Sequence, residues 1–244
     1  MADNYNNAVT LAYQIIGSQE PWRHPSSNII HHRVLPNATF APWLTDHEFL
    51  SCYEKIKGHS LVDHYRCYEL WTLAKQLNNV EGNILEVGVW RGGSGALLAQ
   101  AVKDSGKQVF LADTFSGVVK AGDRDTNYKG GEHADTSVEI VSALMESLPI
   151  RNIKLLKGIF PEETQHMIEG KISMLHCDVD VYSSTKDIVG WCLPRLSVGS
   201  VLVFDDYGFF GCEGVTAFCE EFRKRDEFRF IHNLNGHAVF IKIA

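Results

Sequence analysis

The sequence predicts an α/β fold: a doubly wound, mostly parallel seven-stranded sheet with an antiparallel edge strand, preceded by an N-terminal arm or lid. Three observations carry this prediction. From Leu61 onward, short apolar runs of strand character alternate with stretches of helical periodicity, the pattern of a parallel sheet covered on both faces. The last two apolar runs are separated only by residues 233–237, too short a connection for a crossover helix, so they form a hairpin at one edge. Residues 1–60 differ in make-up: they hold Pro21, Pro25, Pro36 and Pro42, four of the seven prolines, together with His24, His31, His32, His47 and His59.

Taken in order, the arm has room for short helices at about 7–16 and 46–55. The regular domain runs over 61–244. Residues 61–77 set Leu61, Tyr65, Tyr68, Leu70, Leu73, Ala74 and Leu77 at broadly helical spacing. Residues 83–89, NILEVGV, read as a buried parallel strand. A helix over 93–103 and a strand over 108–112 follow. The stretch 115–134 carries Gly117, Gly122, Gly130 and Gly131 among charges and reads as a long loop, of the kind that serves as a lid. Then come a helix at 135–147, a strand at 152–156, and a short helix at 161–168 with Pro161 in its first turn. After a strand at 172–177, Ser184 opens a helix, with Asp187 completing an S-x-x-D capping pattern. A strand at 200–204, a helix at 214–223 and strands at 228–232 and 238–243 complete the chain.

Composition narrows the function. With 23 Lys+Arg against 30 Asp+Glu the net charge is −7, which argues against a nucleic-acid binder. Hydrophobic residues make up 45%, enough for a sizeable core. No apolar stretch approaches 18 residues, so no membrane span is expected. The N-terminal MADNYNNAVT lacks the basic and apolar regions of a signal peptide, and a cytoplasmic location follows as the expectation. The six cysteines include no C-x-x-C pair and read as reduced, buried thiols.

Ligands of such sheets bind beyond the carboxyl ends of the strands, so the residues there matter most. After the first strand come Glu86, Val87, Gly88, Val89, Trp90, Arg91, Gly92, Gly93, Ser94 and Gly95. Glycines let a ligand approach the backbone closely, but the second glycine of G-x-G-x-x-G is missing. Glu86 suits a cationic ligand better than a pyrophosphate. Asp113 follows the second strand, 20 residues after Gly93, where an acid can bond a ribose. The fourth strand ends in His176, Cys177, Asp178, Val179 and Asp180, the fifth in Asp205, Asp206 and Tyr207. If the fourth strand stays extended, Asp178 and Asp180 share one side. Four carboxylates repel unless a cation joins them, and oxygen donors suit Mg²⁺ or a similar hard divalent ion. One Asp after a strand commonly caps a turn; four are less readily explained that way.

EVGVWRGGS, ADTFSG, the D-x-D-x-Y-S-S-T run at 178–185, DDYG at 205–208 and the following GCEGVTAF resemble the macrocin O-methyltransferase family, over roughly 61–244. The resemblance implies a class I methyltransferase-like, Rossmann-like domain and an S-adenosylmethionine- and Mg²⁺-dependent enzyme acting on hydroxyls of sugars or other natural products. It implies that Glu86, Gly88, Arg91, Gly92, Gly93 and Ser94 hold the methionine part of the cofactor, and that Asp113, Thr114 and Phe115 lie at the ribose. Lys157, Gly158, Ile159 and Phe160 then lie near the adenine. Asp178, also facing the cofactor, Asp205 and Asp206 become metal ligands, and Asp180 the general base. The family run is commonly D-G-D; here Val179 stands in the middle. No Lys follows Asp178 until Lys186, which favours a carboxylate base and a sugar-like acceptor over a catechol-type one. The family also suggests a homo-oligomer acting on a small, possibly glycosylated molecule.

Other residues read more plainly. His176, inside an apolar strand, suits a hydrogen-bonded core position, and His237 can reach the active-site side. The His31–His32 pair reads as polar surface. Trp71, Trp90 and Trp191 read as packing, while Trp22 and Trp43 have the option of lining an acceptor pocket or an oligomer contact. Two competing classes are an NAD-type oxidoreductase, disfavoured by the broken glycine pattern, and a non-catalytic nucleoside-binding module, which has no use for four acids.

Overall fold

The computed structural model describes residues 2–35 and 38–244; Pro36, one of the arm prolines, lies outside the described residues. The strands β1 (Asn83–Val87), β2 (Val109–Asp113), β3 (Ile153–Lys157), β4 (Ile172–Cys177), β5 (Leu196–Phe204), β6 (Phe228–His232) and β7 (Ala238–Lys242) form one sheet in the order β3-β2-β1-β4-β5-β7-β6. The first five are parallel, and β7 runs antiparallel to both β5 and β6. In the terminal hairpin it is therefore β7 that enters beside β5, and β6 takes the edge. The chain winds outward from β1 through β2 to β3, then returns to β4 on the other side of β1. That reversal opens a crevice between the carboxyl ends of β1 and β4.

The helices are α1 (Ala2–Gly17), α2 (His47–Ile56), α3 (His64–Lys75), α4 (Gly93–Ala101), α5 (Val138–Glu146), α6 (Tyr182–Cys192) and α7 (Glu213–Phe222). Alternation along each strand feeds two apolar layers, one per face of the sheet. Ile84, Met174, Val201 and Val203 pack with α2 to α5, while Leu85, Leu175, Leu202 and Phe204 pack with α6 and α7. Helix α2 buries Phe49, Cys52 and Ile56 in the first layer, so the structure joins this part of residues 1–60 to the α/β core. Asp46 caps it by accepting from Phe49 N at 3.0 Å. Asp63 caps α3 in the same way, which starts that helix at His64 rather than Leu61.

Two local expectations are corrected. Residues 161–168 do not form an α-helix; turns lead into a single 3₁₀ turn, Gln165–Met167. There Glu163 folds back so that its carboxylate accepts from Ile159 N at 2.7 Å, closing a turn instead of opening a helix. The Ser184–Asp187 capping pattern is not formed either, because α6 begins two residues earlier at Tyr182. Ser184 Oγ donates to Val119 O at 2.9 Å, and Asp187 takes Lys120 Nζ at 2.8 Å. The first amide of α6 is met instead by Asp125, whose Oδ1 accepts from Tyr182 N at 2.8 Å across 57 residues. All six cysteines are buried and unpaired. Among the described residues, no helix is long and apolar enough to cross a membrane.

Candidate active site

A cleft of about 1040 Å³, its open mouth included, lies at the carboxyl ends of β1, β2, β4 and β5. Gly88 forms its floor. A Cβ there would stand 1.6 Å from Asp178 O, and its φ of +89° is one that side chains rarely adopt, so only glycine lets the ends of β1 and β4 close together. The turn that follows is built by Asp113. Its Oδ2 accepts from Val89 N at 2.7 Å and Trp90 N at 2.9 Å, and its Oδ1 from Phe115 N at 2.7 Å.

Of the residues expected at the cofactor, Gly88, Ser94, Asp113, Thr114, Gly158, Phe160 and Asp178 line this cleft. Glu86, Arg91, Gly92, Gly93, Phe115 and Ile159 do not. Glu86 is fully buried, and its Oε1 lies 2.8 Å from His176 Nδ1, while Glu86 Oε2 and His176 Nε2 have no hydrogen-bond partner among the described residues. Glu86 has no surface from which to meet a ligand. Arg91 points outward, paired with Asp135 at 2.7 Å and stacked on the Trp90 ring at 4.6 Å. Gly93 is small for packing reasons: a Cβ would stand 2.7 Å from His59 O. Trp90, read as core or semi-buried packing, lines the cleft, its backbone in the left-handed region at φ 47°.

The four acids converge in the same cleft. Asp178 N continues the ladder by donating to Val87 O at 2.9 Å, and Asp205 N donates to Cys177 O at 3.0 Å. The strand does not stay extended beyond Asp178, as the period-two expectation required. The chain turns at Asp180, where φ is 64° and Val181 N donates to Val179 O at 2.7 Å. Asp206 is also left-handed, at φ 62°. Side chains held in such sparsely populated conformations cluster at functional sites, where the surroundings over-determine them. Oxygens of Asp178, Asp205 and Asp206 lie within 4.8 Å of one another, as do donor atoms of Asp180, Asp206 and Cys212.

Their electrostatics divide them. Burial, then the neighbouring charges of Asp205 and the other acids, pushes Asp178 and Asp206 well above the usual carboxylate range. Burial also raises Asp180, against the Tyr128 hydroxyl beside it. Burial would raise Asp205 too, but the His237 hydrogen bond and the charges of His237 and Arg66 hold it at about 2. Crowded, buried carboxylates of this kind gain from taking up a cation, and their hard oxygen donors fit Mg²⁺.

Arg66 and Glu69 were not foreseen, whereas His237 was expected to reach this side and Tyr128 and His133 belong to the loop expected as a lid. Arg66 and Tyr128 line the cleft, as does His133. His237 stands behind it, fully buried, with Nε2 2.8 Å from Asp205 Oδ1 and Nδ1 2.6 Å from Glu69 Oε2. Asp63, the cap of α3, and Arg66 and Glu69 within that helix recur at three-residue spacing, and that spacing of charges was the available signal. The loop expected as a lid does wall the cleft through Gly117, Val118, Val119, Tyr128 and His133. It is pinned by Asp125, by Lys120 to Glu162 and Asp187, and by Thr126 Oγ1 to Gly211 O at 3.0 Å.

No described residue before Ser60 lines the cleft. The arm instead docks beside it: Trp22 and His31 form an antiparallel bridge, and buried His31 Nε2 lies 3.2 Å from buried Glu213 Oε1. His31 is therefore not polar surface, whereas His32 is exposed. Trp43 packs edge-on against Tyr65, ring centroids 5.1 Å apart, rather than lining the cleft.

Comparison with known proteins agrees with this architecture. A profile of the macrocin-O-methyltransferase family matches residues 55–242. The demethyldecarbamoylnovobiocin O-methyltransferase of Streptomyces niveus is 33% identical over 146 residues, 53% of this chain and 54% of that protein. The mycinamicin III 3''-O-methyltransferase of Micromonospora griseorubida is 30% identical over 151 residues, 55% of this chain and 59% of that one. An O-methyltransferase of Streptomyces olivaceus, named for the 4' position of a rhamnosyl-tetracenomycin, is 29% identical over 147 residues, 55% and 56% of the two chains. The chain thus spans a little over half the length of these relatives. Among solved structures, the O-methyltransferase NovP superposes with a TM-score of 0.67 at 23% identity, covering 76% of this chain and 83% of that one. CalS11, a calicheamicin methyltransferase, superposes at 0.60 and 16%, covering 84% and 94%. At these identities the structural likeness is one of fold. With most of its length matched by the family profile, the chain belongs to the macrocin-O-methyltransferase family.

Proposed function

We propose that the protein is an S-adenosylmethionine- and Mg²⁺-dependent O-methyltransferase acting on a hydroxyl of a sugar or other natural-product acceptor. The observation that carries this reading is the convergence of Asp178, Asp180, Asp205 and Asp206 on the same cleft as the Gly88–Trp90 turn and Asp113. The activities for which the relatives are named, on a rhamnosyl-tetracenomycin and on mycinamicin III, support a small, glycosylated acceptor.

When bound, S-adenosylmethionine supplies an electrophilic methyl group and Mg²⁺ supplies positive charge that favours the deprotonated acceptor. The rest falls to the chain. Gly88 and its turn admit the methionine part close to the backbone. Asp113 Oδ1, which among the described residues accepts only from Phe115 N, keeps a lone pair for a ribose hydroxyl. Gly158 and Phe160 offer the far wall for the adenine. Asp178, Asp205 and Asp206 would hold the ion, and Asp180 takes the proton from the acceptor hydroxyl at a carboxylate oxygen. Burial raises its basicity, which suits that task. Walls from the 117–133 loop exclude water and fix the approach, so alignment does much of the work. Exposed Leu11, Ile15, Phe40 and Leu44 support self-association, and six unpaired cysteines a reducing, cytoplasmic setting.

Titration calorimetry with S-adenosylhomocysteine and with NAD tests the reading. The homocysteine compound is expected to bind and NAD to give no heat. NAD binding without S-adenosylhomocysteine binding would sink the proposal in favour of the oxidoreductase.

A further inference from the structure

Helix α6 starts without a side-chain cap of its own. Its N-cap residue is Val181, whose apolar side chain offers no acceptor to the first amides. The acceptor comes from the 117–133 loop. Asp125 is buried, and its Oδ1 accepts from Tyr182 N at 2.8 Å. Gly214, in the first turn of α7, makes room for that carboxylate: a Cβ there would stand 1.9 Å from Asp125 Oδ1. Asp125 Oδ2 accepts from Gly122 N at 2.8 Å, and Asp125 N donates to Gly122 O at 3.0 Å, so the side chain is fixed within its own loop. Two further contacts tie the loop to α6. Val119 O accepts from Ser184 Oγ at 2.9 Å, and Lys120 Nζ meets Asp187 at 2.8 Å. These contacts grip α6 just beyond the turn that carries Asp180, which is closed by Val181 N donating to Val179 O at 2.7 Å. The same loop walls the cleft through Gly117, Val118 and Val119.

We propose that Asp125 is a positioning residue that links the cofactor's wall to the base. A cofactor resting on residues 117–119 steadies the loop, and Asp125 extends that restraint through Tyr182 N to the turn that aims Asp180. This rests on the proposed function, both for the cofactor cleft and for Asp180. The turn needs such a hold: Asp180 has φ 64°, a conformation that persists only where its surroundings enforce it. Loop and helix are joined by direct hydrogen bonds and an ion pair, so ordering one orders the other. The consequence is a sequence of events. The methyl donor seats first, and the acceptor then meets a base already aimed.

No acceptor is needed to test this. Amide hydrogen exchange of the full chain is followed residue by residue, with and without S-adenosylhomocysteine. Val118 N, which donates to Glu132 O at 2.9 Å, reports on the loop. Val181 N reports on the turn, and Thr185 N, which donates to Val181 O at 3.2 Å, on the start of α6. In the unaltered protein S-adenosylhomocysteine is expected to slow all three by about fivefold or more, the weight of a helix N-cap on a local opening. In Asp125→Ala the slowing at Val118 should remain, and that at Val181 and Thr185 should be lost. Tyr182→Pro and Tyr182→Ala isolate the single bond. Both remove the ring, but only proline removes the N–H, and proline suits the first helical position after an extended residue such as Val181. The slowing at Val181 and Thr185 is expected to be lost with proline and kept with alanine, a contrast that decides the matter if Asp125→Ala does not fold. A cap serving stability alone would speed exchange at Thr185 in Asp125→Ala and Tyr182→Pro yet keep its response to S-adenosylhomocysteine; that result overturns the inference. So does binding of S-adenosylhomocysteine by the unaltered protein, measured by calorimetry, with no slowing at Val181 and Thr185; the cofactor reading then stands. No binding by the unaltered protein overturns both.

Discussion

Asp180→Asn is expected to lower turnover by roughly 10²- to 10⁴-fold, the span of a positioned general base, while S-adenosylhomocysteine binds as before. The reason is local. Asp180 sits in a tight turn with φ 64°, where the chain leaves β4 and before α6 begins, so its carboxylate is aimed by backbone that little else can relax. It stands beside Asp206 but is outside the set formed by Asp178, Asp205 and Asp206. The amide keeps the size but loses the charge and the ability to take a proton. Single-turnover transfer of a labelled methyl group, with calorimetry for the cofactor product, checks it. Near-normal turnover would show that another group accepts the proton. Because burial raises this carboxyl, the wild-type rate should climb with pH as it ionises.

Asp206→Asn is expected to abolish divalent-ion binding and, at the same time, to stabilise the metal-free protein. The carboxyl of Asp206 lies well above its usual range because of burial and then the charge of Asp205, with Asp180 adding to it. A carboxyl whose pKa is raised on folding costs stability as pH rises from its unfolded value toward its folded one. The neutral amide removes that cost, so the gain should be present at pH 7 and vanish near pH 4. For a domain of this size each kcal/mol relieved raises Tm by about 2–4 °C. Thermal melts in chelator at the two pH values, together with Mn²⁺ titration, read both effects. A lower Tm at pH 7 with ion binding retained would mean that Asp206 is a structural cap. Asp205→Asn should behave oppositely in the melt, since it strands Arg66 and His237 inside the protein.

The sheet was legible because its signal is local. Apolar runs ending in Gly88, Asp178 or Asp205 announce buried parallel strands and what lies beyond them, and the hairpin follows from a short connection. The converging acids were legible for the same reason: two strand ends adjacent in the sheet must bring their last residues together. What sequence could not supply was the direction in which a side chain points once the strand stops. Glu86 was expected at the ligand, yet it turns inward to His176. Glycines that suggested a ligand loop include Gly93, which is small because His59 O passes over it. Contacts over long separations were equally hidden. Asp205 meets Arg66 across 139 residues, and His237 meets Glu69 across 168. The capping pattern at Ser184 failed against a competitor, Asp125, that no local rule could see. Short polar motifs name donors and acceptors; the tertiary fold decides which of them pair.

The proposed divalent-cation site of Asp178, Asp205 and Asp206 shares its cleft with Gly88 and Asp113. Diffraction from crystals grown with S-adenosylhomocysteine and Mn²⁺, recorded at the manganese edge, tests it most directly. One anomalous peak is expected at roughly 2.0–2.6 Å from an oxygen of each of the three aspartates, the range for hard cations on oxygen, with the cofactor product lying against Gly88 and Asp113. Clear density for the product in the cleft, with no anomalous peak among these acids, would contradict it.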